Sequence, residues 1–92
     1  IKQYLKDDDF KHLVEINMFW YRIYMINDKL KDAEYTLLNT YEIAKANGLN
    51  QQAGQIAIMI GKFYIDNKRD IEAAKYLDEG INIFKEIGIL RN

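Results

Sequence analysis

Few residues of this 92-residue chain are of the types that catalyse acid–base or metal chemistry. The single histidine, His12, falls in the first turn of a predicted helix, where a surface role is much commoner than catalysis or metal binding. A zinc site needs three or four ligands, and the chain has no cysteine to supply them. Its five glycines stand singly inside or after predicted helices, so no glycine-rich loop is available to hold a phosphate. We therefore predict that the segment is not an enzyme and binds no metal or cofactor.

Carboxylates are numerous, but their spacing places them in solvent. Glu72 and Asp78 fall on the outward side of a predicted helix by periodicity. The acidic run Asp7–Asp9 stands just before another predicted helix, where negative side chains complement the helix dipole and one of them can cap the first turn. No second acidic cluster lies nearby, so a helix cap is preferred to a metal site.

Aromatic and methionine side chains are the other group with binding chemistry. The seven tyrosines, four phenylalanines and one tryptophan invite stacking on nucleic-acid bases, but most fall on apolar stripes, where core packing is the better account. A smaller set lies off those stripes, on the first helix of each predicted pair: Met18, Phe19, Met25 and Met59. Exposed methionine and aromatic residues mark adaptable binding surfaces, but the same residues can equally contact a neighbouring repeat. Both interpretations stay open.

Composition and charge exclude several classes of partner. The net charge is −1 with both signs interspersed, which gives no electrostatic reason to expect a nucleic-acid partner, since such a partner would favour a basic face. No apolar run approaches the roughly 18 residues of a membrane span. The absence of cysteine excludes a disulfide framework and fits a cytoplasmic protein, and the absence of proline favours long, unbroken helices. With 49% hydrophobic residues, the chain is predicted to form one packed domain over residues 1–92.

An internal repeat organises the chain. Shifting the sequence by 40 residues aligns Phe10–Gly48 with Asn50–Gly88 without a gap, and eight of the 39 aligned positions are identical. About three identities are expected by chance in a composition of this kind. A period of this size is typical of one supersecondary unit stacked on its neighbour, which favours a binding surface over a catalytic pocket.

Hydrophobic periodicity divides the two repeats into four helices. The predicted helices span Phe10–Ile26, Lys29–Asn47, Gln51–Asp66 and Asp70–Ile87. Their apolar stripes, predicted to be buried, are Leu13, Ile16, Trp20, Ile23 and Tyr24 in the first; Leu30, Ala33, Leu37, Tyr41 and Ala44 in the second; Ile56, Ile60, Phe63 and Tyr64 in the third; and Ala73, Leu77, Gly80, Ile81, Phe84 and Ile87 in the fourth. Short connections make consecutive helices antiparallel neighbours, so the predicted fold is all-α, with two stacked helical hairpins.

Local signals mark the ends of these helices. Asp28 and Asn50 are predicted to be the N-caps of the second and third helices, because short polar side chains satisfy free backbone N–H groups there. Gly48 and Gly88 follow the second and fourth helices, where glycine adopts the left-handed conformation at low cost. Each repeat is therefore predicted to be one helical hairpin with a short inner turn.

Both ends of the chain are predicted to continue the array. Residues 1–8 are interpreted as the remnant of a preceding helix, through Ile1, Tyr4 and Leu5. Two repeats without polar caps fall short of the about three that a solenoid normally needs. We therefore expect a piece of a longer array, or a unit that forms homo-oligomers through its uncapped ends. The residues expected to be covered there are these three and, at the other end, Ile83, Ile87 and Leu90.

The paired helices resemble the tetratricopeptide repeat, a family in which a small residue of one helix faces a small residue of the next. The second repeat carries the pattern with Gly61, Tyr64, Ala73, Leu77 and Gly80. In this resemblance, Gly61 and Ala73 let the two helices pack closely, and Gly80 makes room for the next unit. The resemblance covers about Phe10–Gly88 and implies a right-handed superhelix.

The first repeat keeps less of this pattern. It fits at Trp20, Tyr24, Ala33 and Leu37. Tyr21 and Thr40 replace the small residues, and both repeats lack the proline common at the family's repeat end. The 40-residue period exceeds the usual 34. Longer repeats rich in Ile, Lys, Asn and Tyr are similar to those of peptide-sensing regulators of Gram-positive bacteria, such as Rap phosphatases and PlcR-like transcription factors. The resemblance implies a concave groove, lined by first helices, that holds an extended signalling peptide.

This resemblance and the helical spacing together predict a ligand groove. Each first helix would contribute one strip of side chains spaced by three or four residues, with Arg22 and Lys62 at equivalent positions. The predicted groove residues are Glu15, Met18, Phe19, Arg22, Gln55, Ile58, Met59 and Lys62. The two cations would meet backbone carbonyls or a carboxylate of the peptide. Solvated cations on an ordinary helix face remain the alternative.

The function predicted from the sequence is a protein- or peptide-binding helical repeat module. It would belong to a larger bacterial regulator or scaffold, for which a peptide-sensing transcriptional regulator is one candidate. Its expected partner is a protein or an extended peptide, with no direct nucleic-acid contact, no membrane and no cofactor. Two alternatives stay open: an oligomerisation segment, and a helical support domain of an enzyme whose catalytic part is absent from this chain.

Overall fold

The computed structural model of the chain describes residues 7–89. These residues form four α-helices, which we name α1 (Asp7–Ile26), α2 (Leu30–Ala46), α3 (Asn50–Asp66) and α4 (Asp70–Glu86). Each helix packs against the next one along the chain. The all-α stack of helical hairpins predicted from the sequence is therefore confirmed. The arrangement is flat, measuring 42 × 39 × 18 Å.

All four helices end in the same three-residue turn. Its middle residue has a left-handed backbone, with φ of 59° at Asp28, 70° at Gly48, 62° at Lys68 and 84° at Gly88. The following residue donates its backbone N–H to a carbonyl of the last helical turn, as from Lys29 N to Tyr24 O at 2.8 Å. This is the Schellman arrangement, which satisfies the last carbonyl groups of a helix. Asparagine side chains add a further bond to a carbonyl of the same turn at Asn27, Asn47 and Asn67.

The structure of these turns shows that the predicted N-caps of the second and third helices are wrong. Asp28 and Asn50 are not N-caps, because the cap positions belong to Lys29 and Leu49, and neither of these makes a side-chain capping hydrogen bond. The physical reason is that Asp28 must adopt the left-handed backbone that closes α1, whereas an N-cap residue needs an extended one. At the other end of α1, the acidic run lies inside the first turn, from Asp7 onward, rather than before it.

The left-handed positions provide a matched pair of stability tests. Gly48→Ala is expected to lower the free energy of unfolding by about 1 kcal/mol, because a Cβ at φ 70° is strained although no atom lies within 4 Å of it. Lys68→Gly relieves the same strain and is expected to raise the free energy of unfolding by about 0.5–1 kcal/mol. Urea unfolding followed by circular dichroism measures both changes. Changes of the same sign in the two variants would contradict the assignment of strain to these turns.

Glycines on the α4-facing side of α3 allow the second hairpin to pack closely. A Cβ at Gly61 would lie 2.5 Å from the Leu77 side chain and 3.3 Å from the carbonyl oxygen of Ala73. The predicted approach of Gly61 and Ala73 is therefore confirmed. A Cβ at Gly80 would lie 3.1 Å from the carbonyl oxygen of Gly54, so Gly80 serves its own hairpin rather than making room for a next unit, as the sequence had led us to expect.

Burial agrees with the predicted stripes on the central helices and differs on α1. The predicted residues that are buried on α2 and α3 are Ala33, Leu37, Tyr41, Ala44, Ile56, Ile60, Phe63 and Tyr64. On α1, by contrast, Ile16, Trp20 and Ile23 are 52%, 49% and 42% exposed, and Val14 enters the core instead. The prediction of a buried stripe there is wrong, because periodicity detects an apolar face but does not tell which neighbour covers it.

The remaining predictions of burial concern α2, α4 and the two ends of the described range. Leu30, in the first turn of α2, and Ile81, on α4, are exposed although both were predicted to be buried. Ile83 and Ile87, predicted to be covered by another chain, are half-buried within this one. The predictions made for Ile1, Tyr4, Leu5 and Leu90 lie outside the described residues. Of the predicted helix remnant over residues 1–8, Asp7 and Asp8 belong to α1.

A polar cluster joins the two hairpins across the α2–α3 contact. The Tyr64 hydroxyl of α3 donates to Oε2 of Glu34 on α2 at 2.7 Å. Arg69 donates to the same carboxylate at 3.1 Å, and its guanidinium carbon lies 4.4 Å from the centre of the Tyr64 ring. Arg69 also donates to Glu72 at 2.8 Å, a hydrogen bond that lowers the pKa of the Glu72 carboxyl. One carboxylate of the first hairpin is thus held by a tyrosine and an arginine of the second.

A second tyrosine reaches across the hairpins in the opposite direction. Tyr41 of α2 donates its hydroxyl to Glu79 of α4, and its ring meets the Tyr76 ring edge-on with the centres 5.8 Å apart. Burial first, and then the hydrogen bond to a glutamate, raise the pKa of both Tyr41 and Tyr64 well above the ordinary value of 10.0.

We expect these two tyrosines to make the fold sensitive to alkali. Because their pKa values are raised in the folded chain, the stability they contribute is fully present below the ordinary tyrosine pKa of about 10 and declines as the pH rises beyond it. Urea unfolding measured below and above that pH should show the decline. The double variant Tyr41→Phe with Tyr64→Phe should show less of it. Ionisation of both phenols before any unfolding, followed by tyrosinate absorbance, would contradict this prediction.

Candidate ligand groove between α1 and α3

A cavity of about 550 Å³ opens between the first helices of the two hairpins. Its lining residues on α1 are spaced by three or four positions, which puts them on one face of the helix. They are Lys11, Val14, Glu15, Met18, Phe19 and Arg22. From α3 the cavity receives Gln52 and Gln55. We call this cavity the α1–α3 groove.

The groove has an apolar floor and a mixed rim. Val14 is buried at 5% exposure, and the half-buried Met18 packs against the same core. Phe19 is 62% exposed, and the Arg22 guanidinium carbon lies 5.8 Å from the centre of its ring. This distance is within the range of a cation–π contact, so Arg22 and Phe19 contact each other while both side chains remain exposed.

Charged and amide groups of the groove are available to a ligand. Within residues 9–89, no ion pair engages Lys11, Glu15 or Arg22. Lys11 and Arg22 are about 16 Å apart along the helix axis, at 1.5 Å per residue. That length corresponds to about five residues of extended chain. The groove therefore offers a cation near each end, a carboxylate between them and two amides on the facing helix.

The structure brings five of the eight predicted groove residues to this cavity. They are Glu15, Met18, Phe19, Arg22 and Gln55. The other three, all on α3, do not line it. Ile58 contacts α4 instead, with its Cδ1 atom 2.8 Å from where a Cβ of Gly80 would stand. Met59 packs against the core, and Lys62 is exposed outside the cavity.

The reason for this division is that α3 packs closely against both α2 and α4, whereas the main packing partner of α1 is α2. Gly54, Ile58 and Gly61 form the side of α3 that faces α4. The repeat predicts that Ile58 lines the groove, as Met18 does on α1. Because Ile58 lies on the side of α3 that faces α4, it packs inside the second hairpin instead. Arg22 and Lys62, equivalent in the sequence, come to occupy different surroundings.

Three groove residues were missed from the sequence. Lys11 and Gln52 lie one helical turn before the predicted strips, so continuing the spacing of three or four residues toward the N-terminus would have found them. Val14 was missed because the buried stripe of α1 was assigned to another face.

Burial, and then the carboxylate of Asp66, raise the pKa of Tyr21, which places this α1 side chain near the C-terminal end of α3.

Comparison of the chain with models of known families, with curated proteins and with solved structures finds no match. The tetratricopeptide resemblance and its peptide-sensing subgroup therefore remain predictions from the residues. None of the helices within residues 7–89 is long and apolar enough to cross a bilayer. In the same part of the chain, no three histidine or acidic side chains are grouped closely enough to hold a metal ion.

Proposed function

We propose that this segment is a protein- or peptide-binding helical repeat module that holds an extended peptide in the α1–α3 groove. The observation that carries the proposal is the lining of that groove. Exposed Phe19 and half-buried Met18 stand beside Arg22, Glu15 and Gln55, and none of these three polar side chains forms an ion pair with another described residue. A groove with apolar pockets and a few polar groups suits a ligand that has both side chains and an exposed backbone.

The chemistry of the rim favours a peptide over a compact small molecule. Arg22 and Lys11 would donate to backbone carbonyls or to a ligand carboxylate, and Glu15 would accept from backbone N–H groups. Phe19 and Met18 would adapt to apolar side chains, because methionine is flexible and both residues remain accessible. Since the groove spans only about five residues of extended chain, binding by this segment alone is expected to be weak.

The residue pattern supports a particular kind of parent protein. The tetratricopeptide-like positions and the 40-residue period favour a larger cytoplasmic bacterial regulator or scaffold. A peptide-sensing transcriptional regulator similar to the PlcR-like or Rap groups is the specific candidate. In that setting further repeats would lengthen the groove and raise the affinity, since each added repeat contributes another first helix.

Titration of the isotopically labelled chain with peptides selected from a random library would test the proposal. Chemical-shift changes are expected at Glu15, Met18, Phe19, Arg22 and Gln55. Arg22→Ala should weaken binding about tenfold, because truncating one of the few side chains that anchor a ligand removes more than about 1 kcal/mol of binding free energy.

Lys62→Ala is the matched control for this experiment. It removes the equivalent cation of the second repeat, which is exposed outside the groove. Its affinity for the peptide should remain that of the unmodified chain. Equal losses in the two variants, or shift changes confined to α2 and α4, would contradict the α1–α3 groove as the binding surface.

A further inference from the structure

The outward face of α1 is apolar at positions that are buried in the second hairpin. We call the surface formed by Ile16, Trp20, Ile23 and Tyr24 the outward face of α1. The first three are 52%, 49% and 42% exposed, and Tyr24 is half-buried. Forty residues later, all four equivalents are buried to 5% exposure or less: Ile56, Ile60, Phe63 and Tyr64. The contact of α2 with α3 in this chain therefore indicates what kind of helix would cover the outward face of α1.

A shallow cleft of about 200 Å³ lies on this face. It is lined by Asn17, Trp20, Tyr24, Tyr35, Thr36 and Asn39. Its counterparts in the second hairpin include Tyr64, Tyr76 and Glu79. There, Tyr41 of the preceding hairpin packs its ring against Tyr76 and donates its hydroxyl to Glu79. The cleft beside Trp20 is therefore the open counterpart of a place that an aromatic side chain occupies in the second hairpin.

The two residues that hold a carboxylate in the second hairpin also have equivalents in the first hairpin. Tyr64 and Arg69 hold the carboxylate of Glu34, and their equivalents forty residues earlier are Tyr24 and Lys29. Within the described residues, no hydrogen bond or ion pair joins the Tyr24 hydroxyl or the Lys29 ammonium to a carboxylate. The first hairpin thus has a tyrosine and a cationic residue at the repeat positions whose equivalents hold a carboxylate in the second hairpin.

We propose that the outward face of α1 docks the second helix of another helical hairpin, one in which a carboxylate stands seven residues before an aromatic residue. Glu34 and Tyr41 of α2 have this spacing, which is two helical turns, so both side chains project from one side of the helix. The partner's carboxylate accepts from Tyr24 and Lys29. Its aromatic ring enters the cleft beside Trp20, and an apolar stripe between them covers the rest of the face.

The same comparison argues against a second copy of this chain as the occupant. On α4, the residues equivalent to Glu34 and Tyr41 are Ala74 and Ile81. Head-to-tail stacking of two copies would retain apolar contact but supply neither the carboxylate for Tyr24 nor the ring for the cleft. The favoured partner is therefore a hairpin that differs from this chain's own second repeat. The surface is separate from the α1–α3 groove, so the proposal does not depend on peptide binding there.

An inserted hairpin tests this directly. Residues 10–49 are duplicated immediately before Phe10, which preserves the 40-residue register. The inserted copy carries Trp20→Phe, so the original Trp20 remains the single tryptophan. We expect its fluorescence to shift to the blue and its quenching by iodide to fall severalfold relative to the unmodified chain. Unchanged quenching in a folded insertion chain, as judged by circular dichroism, would overturn the proposal.

A matched insertion separates the polar and aromatic recognition from general apolar contact. In it, the inserted copy also carries Glu34→Ala and Tyr41→Ile, which reproduces the residues of α4. Trp20 should then be protected much less than in the first insertion chain. Equal protection would show that the carboxylate and ring are not recognised. Protection of Trp20 in the unmodified chain that increases with protein concentration would assign the face to a second copy and also overturn the proposal.

Discussion

Replacing Ile60 by alanine is expected to lower the free energy of unfolding by about 2–5 kcal/mol. Ile60 is 1% exposed and is among the largest fully buried side chains of the described residues. It lies on α3, which packs against both α2 and α4, so the cavity left by the substitution is surrounded by helices on two sides. Urea unfolding followed by far-ultraviolet circular dichroism measures the loss.

Trp20 provides the matched control because it occupies the same position 40 residues earlier and is 49% exposed. Although Trp20→Ala removes a larger side chain, we expect it to cost less than about 1 kcal/mol, as for an exposed residue outside the core. Comparing the two losses of unfolding free energy tests whether burial differs at these two equivalent positions of the repeat. Losses of equal size would contradict the finding that the outward face of α1 is uncovered in this chain.

Gly61→Leu is expected to destabilise the second hairpin by about 1–3 kcal/mol or more. A Cβ alone would lie 2.5 Å from the Leu77 side chain, and the nearby carbonyl oxygen of Ala73 belongs to the helix backbone, which cannot rotate away. The larger side chain must therefore separate α3 from α4. Thermal and urea unfolding would measure the loss, and an unchanged melting temperature would show that the helices do not cross closely at Gly61.

The corresponding change in the first hairpin should be milder. Tyr21 stands where Gly61 stands in the second repeat, and it is a half-buried side chain packed against the core. Tyr21→Leu shortens a residue that the first hairpin already accommodates, so we expect a loss of about 1 kcal/mol. A larger loss than for Gly61→Leu would mean that the first hairpin, and not the second, has the tighter helix crossing.

The predicted groove shows which residues of a site an internal repeat can predict and which it cannot. On α1 the predicted residues Glu15, Met18, Phe19 and Arg22 line one cavity together, because they follow helical spacing. On α3 the copied strip failed at Ile58, because that side is used by α4. Sequence equivalence predicts equal backbone positions, whereas side-chain surroundings depend on how many neighbours each helix has.

The sequence by itself determined the four helices, the positions of the turns between them and the stacking of two hairpins. These features depend on residues within about one helical turn of each other and on a repeat that can be read directly. Only the tertiary structure decided that Ile16, Trp20 and Ile23 remain exposed and which side of α3 faces the groove. The physical reason is that an apolar stripe specifies which side of a helix needs a neighbour, whereas the neighbour itself is set by contacts between residues distant in the chain.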